Sequence, residues 1–110
     1  MISTQAATGT KQDLDKPRLG LVDSLFLWGL ARVLTFGANK YSEHQWRGGI
    51  SYSRLYNALQ RHLTAWNAGE DTDPESGLPH LDHAACELMF LRWMSEHRTD
   101  LDDRYKYEKD

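Results

Sequence analysis

Between Asp23 and about Ser95 the chain holds three stretches in which apolar residues recur every three or four positions, separated by two polar connections. That is the period of helices with one covered face. In the first stretch, from Asp23 or Ser24 to about Asn39, the stripe is Leu27, Leu30, Ala31 and Leu34. Phe26, Trp28, Val33 and Phe36 make much of its remaining surface apolar as well. Asp23 and Ser24 are both suitable N-caps, since a side-chain oxygen there accepts a free first-turn N–H. A helix apolar nearly all round needs cover on more than one side. Two further helices cannot supply all of it, so a second subunit is expected to complete the bundle.

The second stretch begins at a Ser51 or Ser53 cap and closes at Gly69 in the C′ position. Its stripe is Leu55, Ala58, Leu59, His62, Leu63 and Trp66. The third starts with Pro79 at the first helical position and continues past Met94, with Leu81, Ala84, Ala85, Leu88 and Leu91 on its apolar face. No alternation of apolar and polar residues is long enough for a strand. The predicted fold is all-α, a small bundle of three main helices completed by oligomerisation.

The flanks differ in character. Residues 1–15 are small and polar and read as a flexible N-terminal arm, and residues 16–95 form the helical domain. Residues 96–110 form a charged extension with ten Asp, Glu, Lys and Arg in fifteen positions. That extension is expected to be a solvated helix continuation or a frayed tail. The connections at 40–50 and 70–78 are longer than minimal bundle turns and dense in functional groups, as connections that carry chemistry tend to be.

Composition narrows the classes. With 110 residues there is room for one domain with a thin core. A formal charge of −3 argues against a nucleic-acid polymer as partner, because such binding displaces counterions with excess cations. The apolar stretch from Leu25 to Leu30, continued only by Ala31, is far short of the roughly twenty residues of a membrane span. No secretory signal opens the chain, and the single cysteine, Cys86, suits a reducing cytoplasm. Four Trp and five His are a surplus that needs a place.

His80, His83 and Glu87 fall in one row of the third helix, and two imidazoles with a carboxylate are ligands for a divalent ion such as Mn²⁺ or Zn²⁺. The plain alternative is a solvated stripe with His80 serving the helix start. Glu70, Asp71, Asp73 and Glu75 precede that row within six residues. Such oxygens suit Mg²⁺ or Mn²⁺ bridging phosphates, while Asp73-Pro74 and Ser76-Gly77 are also turn signals. His62 is either a hydrogen-bonded core histidine or a third imidazole brought towards His80 and His83. Lys16, Arg18, Lys40, Tyr41, Trp46 and Arg47 combine cations with flat rings, as nucleotide binding requires; alternatively Trp46 caps the core. Phosphate-loop, GxGxxG, HExxH and CxxC patterns are absent. Cys86, mid-helix beside Ala85, reads as a buried inert thiol.

The strings KPRLGLV, LARVLTFGANKY followed by HQW, SRLYNALQRHLTAW and GEDTDPESGLPHLDHAACELMFL resemble the N-terminal domain of phage dATP/dGTP diphosphohydrolases. The likeness runs from Lys16 to about Leu91, and the GED-x-DPESGLPHL-x-HA string is its most specific part. The resemblance implies cleavage of a purine deoxynucleoside triphosphate to monophosphate and pyrophosphate with Mg²⁺ or Mn²⁺. In a phage it implies action in the host cytoplasm. Two departures stand out. The family's domain can be joined to a C-terminal one for which this chain has no room. The Glu-x-x-Glu and Glu-x-x-Asp helix pairs of all-α nucleotide pyrophosphohydrolases are also missing.

The expected assignment therefore uses other groups. Asp71, His80, His83 and Glu87 hold the metal, and Glu70 or Asp73 acts as general base. Lys16, Arg18 and Lys40 neutralise charge, Tyr41 or Trp46 stacks on the base, and His62 lines the substrate. The missing carboxylate pairs keep a rival open: a non-catalytic protein that sequesters a nucleotide signal. A ligand-free helical adaptor is a third reading, resting on the apolar first helix.

Overall fold

The computed structural model describes residues 14–106, so most of the expected N-terminal arm and the last four residues lie outside the described part. Three helices carry the fold: α1 (Ser24–Lys40), α2 (Tyr52–Asn67) and α3 (His80–His97). Single 3-10 turns stand at Leu19–Leu21, Gln45–Gly48 and Thr99–Leu101. There is no strand among the described residues, only an isolated bridge between Thr72 and Pro79. The all-α expectation holds.

Helix boundaries follow local chemistry. Asp23 caps α1, its carboxylate accepting the Phe26 N–H at 3.0 Å. Helix α2 ends in a Schellman motif: Gly69 N–H donates to Trp66 and Glu70 N–H to Ala65, with Gly69 at φ +102°. That left-handed residue turns the chain back and sets Glu70 at the head of the next connection. Pro79 stands one position before α3 as its N-cap rather than inside it.

Helix α3 is the central element, with α1 and α2 each packing chiefly on it. One core cluster joins Val33, Leu78 and Cys86, flanked by Leu30, Leu34 and Phe36. The other joins Tyr52, Leu55 and Met94, with Trp46, Ile50, Leu91, Trp93 and Leu101 around it. Phe90 packs on both and ties them together. Helix α1 approaches α3 at Gly29, where an added Cβ would collide with the Asp82 carboxylate. Only hydrogen fits at that crossing.

Two expectations about packing are corrected. The face of α1 that enters the core is Gly29, Leu30, Val33, Leu34 and Phe36, whereas Leu27 and Ala31 of the expected stripe are exposed. On α3, Leu81 and Leu88 are exposed while Cys86, Phe90 and Met94 are covered. A helix wedged between two others buries a wide arc, and its most apolar row need not be the centre of that arc. The charged extension differs as well. Beyond α3 the chain folds back, and Asp103 accepts the N–H of Ser53 at 2.9 Å, capping α2 from fifty positions away. Ser51, one of the two expected caps with Ser53, takes the N-cap position but makes no side-chain capping bond. Arg98 donates to the Gly48 carbonyl at 3.0 Å and fastens the same return.

Candidate functional site

The Schellman turn at the end of α2 and the start of α3 bring two histidine-bearing helix ends together, with residues 70–79 between them. That connection is a bonded loop. Asp73 N–H donates to Leu78 O at 2.8 Å, Gly77 N–H to Asp73 O at 2.8 Å, and His80 N–H to Asp71 O at 2.9 Å. The Asp73 carboxylate accepts the Ser76 N–H at 3.0 Å, an Asx turn. Leu78 is buried and pins the loop to the core.

Within this frame His62 reaches across from α2. Its Nδ1 lies 2.9 Å from His80 Nδ1, and its ring stacks on His83 at 4.7 Å between centroids. His80, 4% exposed, places Nε2 2.7 Å from the Glu70 carboxylate. An ionised carboxylate only accepts, so His80 donates to it through Nε2–H, and in that tautomer Nδ1 is the acceptor. His62 Nδ1–H then donates to it. His83 Nε2 sits 2.7 Å from the Ser76 hydroxyl, which also accepts the Leu78 N–H at 3.1 Å. Asp73 Oδ2 lies 3.8 Å from the same His83 nitrogen.

Electrostatics follow the burial. Desolvation lowers the pKa of His62, and the neighbouring His83 and His80 push the same way. Desolvation also lowers that of His83, although Asp73 opposes it. For Asp73, burial acts upward, but the N–H and hydroxyl of Ser76 outweigh it and hold the carboxyl below the usual range. Charge is thus disfavoured on His62 and His83 and favoured on Asp73. One ligand atom from each of His62, Asp73 and His80 lies within 4.8 Å of the other two. Two neutral imidazoles and a carboxylate are a donor set for Mn²⁺, Zn²⁺ or Fe²⁺ more than for Mg²⁺, which prefers oxygen. Glu70 on the far nitrogen of His80 is the outer carboxylate that orients such a ligand.

The expected residues are distributed unevenly over this arrangement. Glu70, Asp73, His80, His83 and His62 come together. Asp71 takes part through its backbone carbonyl and its side chain is exposed. Glu87 stands one helical turn beyond His83, outside the close set, where burial raises its pKa to about 7 against a lowering by Arg61. Lys40 joins the loop through an ion pair with Glu75 at 2.8 Å, which raises the pKa of the ammonium. Its own ammonium also lies over the exposed Tyr41 ring at 5.4 Å. Trp46 is already covered, stacked on Phe90 at 4.6 Å, met edgewise by Trp93, with the Arg47 guanidinium 4.4 Å over the ring. Exposed Lys16 and Arg18 precede α1, and no hydrogen bond or ion pair among the described residues links them to the imidazoles. Cys86 is buried, its pKa pushed up to about 12 by desolvation and Glu87, as an inert core thiol should be.

A family model described as "dATP/dGTP diphosphohydrolase, N-terminal" matches residues 6–104. The chain belongs to this family. A curated relative, a dATP/dGTP diphosphohydrolase of Salmonella phage PMBT28, is 41% identical over 97 residues, covering 88% of this chain and 33% of the relative. The chain thus spans about a third of that relative's length. No solved structure matches the chain.

Ser76 is the site residue that sequence reasoning missed. Its only signal was a place in a turn dipeptide, and a serine hydroxyl declares no partner until the loop is folded. The pairing of His62 with His80 was open on spacing alone. The α2–α3 crossing closes it.

Proposed function

We propose that the chain hydrolyses a purine (deoxy)nucleoside triphosphate to monophosphate and pyrophosphate, with a divalent metal held by His62, Asp73 and His80. The carrying observation is that constellation, with ligand atoms within 4.8 Å, in a chain of this family. A metal bound there supplies Lewis acidity to a phosphoryl oxygen and lowers the pKa of water. Glu70 orients His80 through Nε2–H and, with its side chain half exposed, takes a proton from the attacking water. The Ser76 hydroxyl holds His83 against His62, fixing the ring that stacks on the ligand. Lys40 stands at the loop through Glu75 and neutralises phosphate charge.

The test is a panel of dATP, dGTP, dCTP and dTTP with Mn²⁺ or Mg²⁺, products separated by chromatography. Pyrophosphate and the purine monophosphates should appear with metal alone, with turnover lost in His80→Ala and His83→Ala. Turnover indifferent to a chelator removes metal from the mechanism.

A second reading is capture without cleavage, favoured by the missing Glu-x-x-Glu and Glu-x-x-Asp helix pairs. It is distinguished by tight calorimetric binding with the ligand recovered unchanged. In either case the protein acts as a homo-oligomer in the cytoplasm. Leu27 and Ala31, exposed on α1, form the apolar row that a second copy covers. No helix among the described residues is long and apolar enough to cross a membrane.

A further inference from the structure

Next to the imidazole group, α1 and the 70–79 loop line an open concavity of about 500 Å³. On α1, Trp28, Arg32 and Asn39 follow steps of four and seven and share one face. That face adjoins the Gly29–Val33 row packed on α3. Ala31 also lines the concavity, whereas Leu27 does not. Phe36 and Leu78 supply apolar lining, and Ser76 closes the end. Ser76 is also the residue bonded to His83 at 2.7 Å, so the concavity and the imidazole group share a wall.

The lining has a specific chemistry. An indole 68% exposed offers a face for stacking, whereas Trp46, one of the two rings expected in that role with Tyr41, is covered by Phe90. A guanidinium pairs in bidentate fashion with guanine O6 and N7, and a carboxamide with adenine N6 and N7. Pyrimidines have no N7. One arginine and one asparagine beside one indole therefore suit both purines and neither pyrimidine. Lys40 follows Asn39 directly and pairs with Glu75 of the loop.

We propose that this concavity is the purine pocket, with Trp28 stacking on the base, Asn39 selecting adenine and Arg32 selecting guanine. It rests on the nucleotide reading above, and it relocates the base from Tyr41 and Trp46 to α1.

The test is equilibrium calorimetry of the full chain with dAMP, dGMP and dCMP, none of which has a triphosphate to cleave. All three side chains are exposed, so truncating them leaves the core intact. The wild type should prefer both purines over dCMP by on the order of 10-fold or more, the discrimination of one good bidentate pair. Asn39→Ala should weaken dAMP more than dGMP, and Arg32→Ala the reverse. Trp28→Ala should weaken both and level them with dCMP. A crossover of this kind is not produced by a general structural defect. Equal losses for both purines in Asn39→Ala and Arg32→Ala, or wild-type affinities in all three variants, overturn the pocket. So does a Trp28→Ala protein whose only change is a smaller sedimentation mass, because the face then serves contact between copies. Purine binding with the crossover but no cleavage of dATP or dGTP overturns hydrolysis and leaves the pocket standing. Metal-dependent cleavage with all three variants indifferent does the opposite.

Discussion

Glu70 and Glu87 are the same residue type on neighbouring elements, and their surroundings give them opposite roles. Glu70 is half exposed and spends its carboxylate on His80. Glu70→Gln removes the charge that orients the imidazole, and should lower Mn²⁺ affinity about 10–100-fold in calorimetry. Glu87 is half buried with its pKa raised from 4.5 to about 7. Its unfavourable ionisation in the fold means that its contribution to stability is intact below about pH 4.5 and is lost as pH rises through about 7. Allowing for partial solvent contact, the loss is about 1–2 kcal/mol. Glu87→Gln should therefore raise the Tm at pH 8 by several degrees and change it little at pH 4. A drop in Mn²⁺ affinity in that variant returns Glu87 to the ligand set. His62 and His83 act in the opposite sense. Their lowered pKa values favour the neutral fold, so stability should decline as pH falls below about 6.5. Residue identity announced imidazoles and carboxylates near one another; which carboxylate touches which ring depended on neighbours that periodicity does not name.

At the scale of elements, α2 is specified from both ends by different means. Its C-terminus is local: Gly69, read directly from the sequence, takes φ +102° and closes the Schellman turn. Its N-terminus is remote, since the carboxylate that accepts Ser53 N–H belongs to Asp103. A search for caps within a few residues finds Ser51 and stops there. Asp103→Ala should cost about 1 kcal/mol, the usual effect of losing an N-cap, read as a lower Tm with little change in metal affinity. Ser51→Ala should cost far less. Between α1 and α3 the sensitive point is Gly29. Gly29→Ala drives a methyl group into the Asp82 carboxylate and should destabilise by about 1–3 kcal/mol, as overpacking does. The stripe of α2 was legible because it faces one partner: Leu55 is buried and Ala58, Leu59, His62 and Leu63 are partly buried, while Trp66, expected in the same row, is exposed at the helix end. The faces of α1 and α3 were not, because both are apolar over too wide an arc for a stripe to choose the contact.

Across the whole molecule, the imidazole group ties the α2 and α3 ends together, so a metal held there would stabilise the fold. With Mn²⁺ at a hundred times its Kd the folded state gains about 2.7 kcal/mol, provided the unfolded chain binds none. A rise in Tm with Mn²⁺, reversed by a chelator and absent in His62→Ala, is the expected result. Assembly belongs to this scale too. A Leu27→Glu variant should reduce the sedimentation mass to one chain. A wild type already sedimenting as a single chain at micromolar concentration removes the second copy.

Sequence by itself determined three helices, two chemically rich connections, the family and the groups from which a site is built. These depend on spacing, capping and motif, which are local along the chain. Tertiary structure decided which helix is central, that Trp46 belongs to the core and Trp28 to a cleft, that Asp103 closes α2, and that His62 meets His80. Each of those contacts joins residues eighteen or more positions apart, or chooses among equally apolar faces. Packing in three dimensions selects them, and a one-dimensional period carries no such preference.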